Sequence, residues 1–151
     1  MEPSEDNAAA AAQTHSESSS GGRQSVCTVH VCTSCRSPGT PREPEENRPG
    51  FLLYRRLKEA LKEGDFDAAV NVEPTPCLSV CPRPCGIALS LSGSWTYLFG
   101  DQDPEKTVCD VVECVSVYLN SAQGYMPRNT RPEALRRAIL GRVPPIMTTD
   151  S

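Results

Sequence analysis

The residues best suited to chemistry are cysteines in two short groups. Cys32 and Cys35 lie in the string CTSC, and Cys77, Cys81 and Cys85 lie in CLSVCPRPC. A thiolate binds soft or borderline metals strongly, and a close-spaced pair delivers two sulfurs to one centre. Two such pairs brought together complete a four-sulfur site for zinc or for an iron–sulfur cluster. A thioredoxin-type dithiol is the first rival, since CTSC is a C-x-x-C string. Such a dithiol lowers its thiol pKa at a helix N-terminus, whereas CTSC runs into RSPGTPREPEENRPG and the next helical pattern opens only at Phe51. A disulfide framework is the second rival, and it belongs to small secreted domains. The chain opens on an acidic stretch without a basic, leucine-rich leader, and it holds no apolar run long enough to cross a bilayer. The expectation is a cytoplasmic protein whose reduced thiols hold a metal.

Elements that could position these sulfurs are legible on either side of them. SVCTVHV, residues 25–31, places Cys27, Val29 and Val31 on one face and Val26, Thr28 and His30 on the other, and reads as a buried strand. Prolines 38, 41, 44 and 49 then make a long loop. From Phe51 to Glu63, Leu53, Leu57, Ala60 and Leu61 recur at helical spacing, and Gly64 suits the helix end. Residues 68–72 read as a second strand closed by EPTP. Ile87, Leu89 and Leu91 alternate along IALSL, Ser92-Gly93-Ser94 makes a turn, and Trp95, Tyr97 and Phe99 alternate along WTYLF, which together predict a hairpin. Asp103 and Pro104 suit a helix start, so a second long helix is expected from Pro104 to about Asn120. Thr130 and Glu133 read as a capping box for a short helix ending near Gly141.

Strand, helix and strand in succession make the two strands parallel, so both leave the sheet at the same end. Cys32 and Cys35 follow the first strand, and Cys77, Cys81 and Cys85 follow the second. Loops at the carboxyl end of a parallel pair can meet, which favours one shared site over two separate ones.

The remainder of the chain sets limits. Residues 1–24 contain no leucine, isoleucine, valine or aromatic residue and read as a disordered tail, as do residues 148–151. The folded domain is expected over residues 25–147. Of the 151 residues' net charge of −4, the tail's four acids and one arginine carry −3. A nearly neutral folded part argues against nucleic-acid binding. Cys27, Cys109 and Cys114 read as packing residues, His30 as a structural strand histidine, and the arginines at 128, 131, 136, 137 and 142 as a solvated face. No serine–histidine–acid set, phosphate-binding glycine loop or histidine pair is present, so an independent enzyme is not expected.

The segment CLSVCPRPCGIALSLSGSWTYLFGDQDPE resembles the second half of the thioredoxin-like [2Fe–2S] ferredoxins and the matching subunit of NADH dehydrogenases. VHVCTSC, FLLYRRLKEAL and GRVPPI extend the likeness over most of residues 26–146. More narrowly, the chain resembles the DUF1636 family of predicted metal-binding proteins. The resemblance implies an α+β, thioredoxin-like fold in which a β-α-β unit is followed by a hairpin and a C-terminal helix. It also implies a [2Fe–2S] cluster on Cys32, Cys35, Cys77 and Cys81, with zinc as the alternative metal. Electron transfer to a redox partner protein, and a homodimer, are the implied associations. Two features depart from the ferredoxin pattern. The first two ligands are spaced C-x2-C where the ferredoxins are usually wider, and Cys85 stands where they tend to carry proline. Cys85 is therefore a packed neighbour, a spare thiol or a substitute ligand.

Overall fold

The computed structural model describes residues 26–35, 39, 44–66, 69–81 and 83–146. The tail over 1–24 and the end over 148–151 lie outside the described residues, as do Ser25 and Ala68 at the starts of the expected strands. Five strands form one sheet in the order β2-β1-β3-β4-β5. They are β1 (Val26–Cys32), β2 (Ala69–Thr75), β3 (Ile87–Ser90), β4 (Thr96–Phe99) and β5 (Ile139–Val143). The helices are α1 (Pro49–Glu63), α2 (Val108–Leu119) and the short α3 (Glu133–Arg137). β1 and β2 run parallel from Val26 opposite Ala69 to Cys32 opposite Thr75, and the other three pairings are antiparallel. The architecture is the expected α+β, thioredoxin-like one.

Alternation along the strands decides which face is covered. Val72, Val29, Leu89 and Tyr97 fall in register across four strands and are all buried, as are Val31, Ile87 and Phe99 in the next row. Leu53, Leu57 and Leu61 on α1, with Val111, Cys114, Val115 and Tyr118 on α2, pack into the same core. Each such side chain contributes roughly 1.5–3 kcal/mol by leaving water. His30 belongs to the other face, where its Nε2 lies 2.9 Å from Ser90 Oγ, which is the structural role expected of it.

Tyr97 ties the core to the segment after α2. Its hydroxyl accepts a 2.8 Å bond from the Met126 N–H, and its ring meets Tyr118 edge-on at 6.1 Å. Tyr97→Phe should leave that buried N–H without a partner and lower unfolding stability by ~1–3 kcal/mol in urea titration.

Buried thiols impose a pH limit on the fold. Burial pushes Cys27 and Cys114 up to about 12, Arg131 lowering Cys114 only in part. A thiol whose pKa is higher folded than unfolded stabilises the fold fully below the unfolded value. That contribution is lost as pH rises through the folded value. Urea midpoints should therefore fall between about pH 9 and pH 12, and Cys114→Ala should flatten the decline.

Several boundaries differ from the sequence expectation. β2 continues through Glu73, Pro74 and Thr75, because an edge strand tolerates a proline that offers no N–H. α1 begins two residues early, with Pro49 in its first turn. α2 begins at Val108, not Pro104. Asp103 Oδ1 instead accepts from the Glu105 and Lys106 N–H groups in a separate turn. Thr130 caps nothing. Its hydroxyl donates to the Pro127 carbonyl, and α3 stops at Arg137. The residues beyond it, expected as helix, form the edge strand β5 beside β4. Arg131 is no part of a solvated face, being 6 % exposed with Nε and Nη1 unpartnered among the described residues, while Arg142 lies over the Trp95 and Tyr125 rings.

Candidate metal centre

Parallel pairing brings the two cysteine loops to one end of the sheet. The Thr33 N–H donates to the Thr75 carbonyl at 2.8 Å, and the Thr33 hydroxyl does so at 3.3 Å, joining the chain just past β1 to the end of β2. On the other side, the Cys32 N–H donates to the Gly86 carbonyl at 3.0 Å. Gly86 in turn sits under Val80, whose Cγ2 would lie 2.6 Å from a Cβ there, so the loop from Cys77 to Cys81 is packed against the approach to β3.

The C-x-x-C turn is held from a third direction by α1. The Gly50 N–H donates to the Cys35 carbonyl at 3.0 Å, and a Cβ at Gly50 would overlap the Cys32 carbonyl oxygen. The helix N-terminus that the sequence separates from CTSC is thus returned to it in space. Its nearest N–H is spent on a carbonyl, however, and not on a sulfur.

Cys32 and Cys35 are buried with their sulfurs 3.2 Å apart. That is too long for a disulfide, at ~2.0 Å, and slightly short of the ~3.8 Å edge of a tetrahedron with metal–sulfur bonds near 2.3 Å. Cys85 is buried too, and its thiol interacts with Cys35. Cys77 and Cys81 are exposed on the loop after β2. Among the described residues no three histidine, cysteine or acidic side chains converge closely enough to hold one ion. The structure therefore brings Cys32 and Cys35 together, buries Cys85 without completing a three-sulfur group, and leaves Cys77 and Cys81 exposed on the neighbouring loop.

Backbone N–H groups lie near these sulfurs. Those of Leu78, from the second loop, and Ser34 act to lower the Cys32 thiol, and that of Gly86 to lower Cys35. The Ser79 N–H donates to Cys77 Sγ at 3.3 Å, from a residue in the left-handed region at φ 56°. A non-glycine residue adopts that conformation only where its surroundings compel it. Contact with Cys35, together with burial, raises the Cys32 thiol far above its ordinary value, the Leu78 and Ser34 N–H groups offsetting this only in part. Cys35 is lowered by Cys32 but raised further by Cys85 and by burial, to about 11 overall. Both are protonated at neutral pH, the reverse of an activated redox dithiol.

The donor set suits a thiophilic metal. Cys32, Cys35, Cys77 and Cys81 sit on or beside two loops that meet at one end of the sheet, the Ser79 N–H donates to Cys77 Sγ, and the backbone groups of Leu78, Ser34 and Gly86 act to lower the Cys32 and Cys35 thiols. These are the groups that stabilise thiolate charge once a metal displaces the protons.

A family model described as Protein of unknown function (DUF1636) matches residues 29–145. The chain belongs to this family. No curated protein matches it. A solved structure of a thioredoxin-like [2Fe–2S] ferredoxin from Aquifex aeolicus is similar, with a TM-score of 0.51 and 21 % sequence identity. The match covers 82 % of this chain and 98 % of the ferredoxin. At that identity the likeness of this family member to the ferredoxin bears on the fold alone. No described helix is long and apolar enough to cross a membrane.

Proposed function

We propose that this DUF1636 protein carries a [2Fe–2S] cluster on Cys32, Cys35, Cys77 and Cys81 and serves as a one-electron carrier. The observation that supports the reading is that the two cysteine loops meet at one end of the parallel pair, the Thr33 N–H bonding to the Thr75 carbonyl and the Cys32 N–H to the Gly86 carbonyl, with the Ser79 N–H donating to Cys77 Sγ. Isolated thiols gain little from such donors, whereas metal-bound thiolates are stabilised by them. The fold shared with a [2Fe–2S] ferredoxin supports the choice of metal. When bound, the cluster supplies reversible uptake of a single electron. The chain holds the sulfurs, limits water around Cys32 and Cys35, and sets the potential through its peptide dipoles. Electrons are exchanged with a redox partner protein.

Anaerobically purified protein should be brown, should contain two irons per chain, and should give a rhombic electron-spin signal on reduction. Colourless protein with stoichiometric zinc would show instead that the four thiolates serve as a structural zinc site.

A further inference from the structure

We infer that Cys32 and Cys35 form a reversible disulfide, so that the oxidation state of the C-x-x-C turn decides whether these two sulfurs are available as ligands. The inference goes beyond the electron-carrier reading, because closing the pair needs no metal and nothing from the second cysteine loop.

Proximity comes first. The two sulfurs lie 3.2 Å apart, and a bond of ~2.0 Å requires them to approach by about 1 Å. Both side chains are buried, and the turn that carries them is held on three sides. The Cys32 N–H donates to the Gly86 carbonyl, the Thr33 N–H to the Thr75 carbonyl, and the Gly50 N–H of α1 to the Cys35 carbonyl. Cys77 and Cys81 stand exposed on the other loop, where Cys77 Sγ accepts from the Ser79 N–H.

In sequence, CTSC is separated from the next helix, as an activated dithiol is not. The fold removes that distance by returning the start of α1 to the turn. The nearest helix N–H still meets a carbonyl and not a sulfur, so neither thiol is activated to attack other disulfides. The pair is suited instead to closing on itself.

A hydroperoxide is the oxidant whose size suits buried thiols. It converts one thiol to a sulfenic acid as its O–O bond breaks and one water leaves. The second thiol, already in contact, attacks that sulfur. The S–O bond breaks, the S–S bond forms, and a second water carries off the remaining thiol proton. Two thiols thus lose two electrons, and hydrogen peroxide is reduced to two waters. A neighbour at 3.2 Å intercepts the sulfenic acid before it passes to the irreversible sulfinic acid, and a small dithiol reverses the bond by exchange.

The test uses the full chain carrying Cys77→Ser, Cys81→Ser and Cys109→Ser, which removes the exposed thiols. Hydrogen peroxide, followed by catalase, should lower its intact mass by two hydrogens. Alkylation in urea should then modify two fewer cysteines, and peptide mapping should join Cys32 to Cys35. Dithiothreitol should restore full alkylation, and adding Cys35→Ser should abolish the mass loss. If the triple variant does not fold, wild-type protein with its exposed thiols blocked by iodoacetamide before oxidation gives the same readout. Cys32 and Cys35 both free after oxidation, both carried separately to sulfinic acid, or a bridge from Cys35 to Cys85 would each overturn the inference. The test variant lacks Cys77 and Cys81, so its result is independent of iron. A wild type that binds no cluster would overturn the electron-carrier reading and leave this one standing.

Discussion

Cys77→Ser and Cys81→Ser are each expected to strip the visible absorption from anaerobically reconstituted protein, while Cys109→Ser leaves it unchanged. The four thiolates of a structural zinc site bind with about 10–16 kcal/mol, so one ligand carries on the order of 3 kcal/mol, or roughly a 100-fold change in affinity. A serine hydroxyl is a poor replacement, because it keeps its proton at neutral pH and is a harder donor than sulfur. Cys77 and Cys81 lie on the exposed loop, so these substitutions remove little packing and their effect should be confined to the metal. Cys109, expected as a packing residue, is instead exposed on α2, outside both cysteine groups, and controls for loss of a surface thiol. Urea titration of the metal-free variants should coincide with that of metal-free wild type. If Cys77→Ser and Cys81→Ser keep the full visible spectrum, the proposed ligand set is wrong.

Gly50→Ala is the second large effect. The new methyl would overlap the Cys32 carbonyl oxygen and lie 3.1 Å from the Cys35 nitrogen and 3.2 Å from the Cys35 Cβ. Two of these are backbone atoms, so relief requires the C-x-x-C turn or the first turn of α1 to move. Overpacking of this kind costs about 1–3 kcal/mol, and here the displaced backbone carries Cys32 and Cys35. Stability should fall by that amount in urea, and iron content per folded chain should fall with it. Gly141→Ala is the control. Nothing lies within 4 Å of a Cβ at Gly141, so both measures should stay near wild type. Wild-type stability and iron content in Gly50→Ala would show that the close approach of α1 to the turn is not needed.

Where burial follows a strong local period, the sequence is a sufficient guide. Cys27, Val29 and Val31 alternate into the core as their pattern requires, and Leu53, Leu57 and Leu61 turn one face of α1 to the sheet. The expectation fails where a distant partner decides the conformation. β5 has little alternation of its own, with Gly141, Arg142 and Val143 all exposed, and becomes a strand because β4 offers an open edge to pair with. Pro74 reads as a break, yet lies on an outer strand where its missing N–H disrupts nothing. Asp103 does accept backbone N–H bonds as its type suggests, but in a turn placed just before α2.

The candidate site divides in the same way. Residue type and spacing alone determine that two groups of thiols follow the two strands of a β-α-β unit, and parallel pairing sends both groups to one end of the sheet. This much is chain geometry, fixed by the short range of strand and helix periodicity. Only the tertiary structure decides that the N-terminus of α1 returns to the C-x-x-C turn across the proline-rich segment, and that the backbone of Cys32 and Thr33 bonds to Gly86 and Thr75. It alone also buries Cys85 and leaves Cys77 and Cys81 exposed. Those contacts join residues far apart in sequence, and their distances depend on how the sheet and α1 pack, which no local pattern encodes.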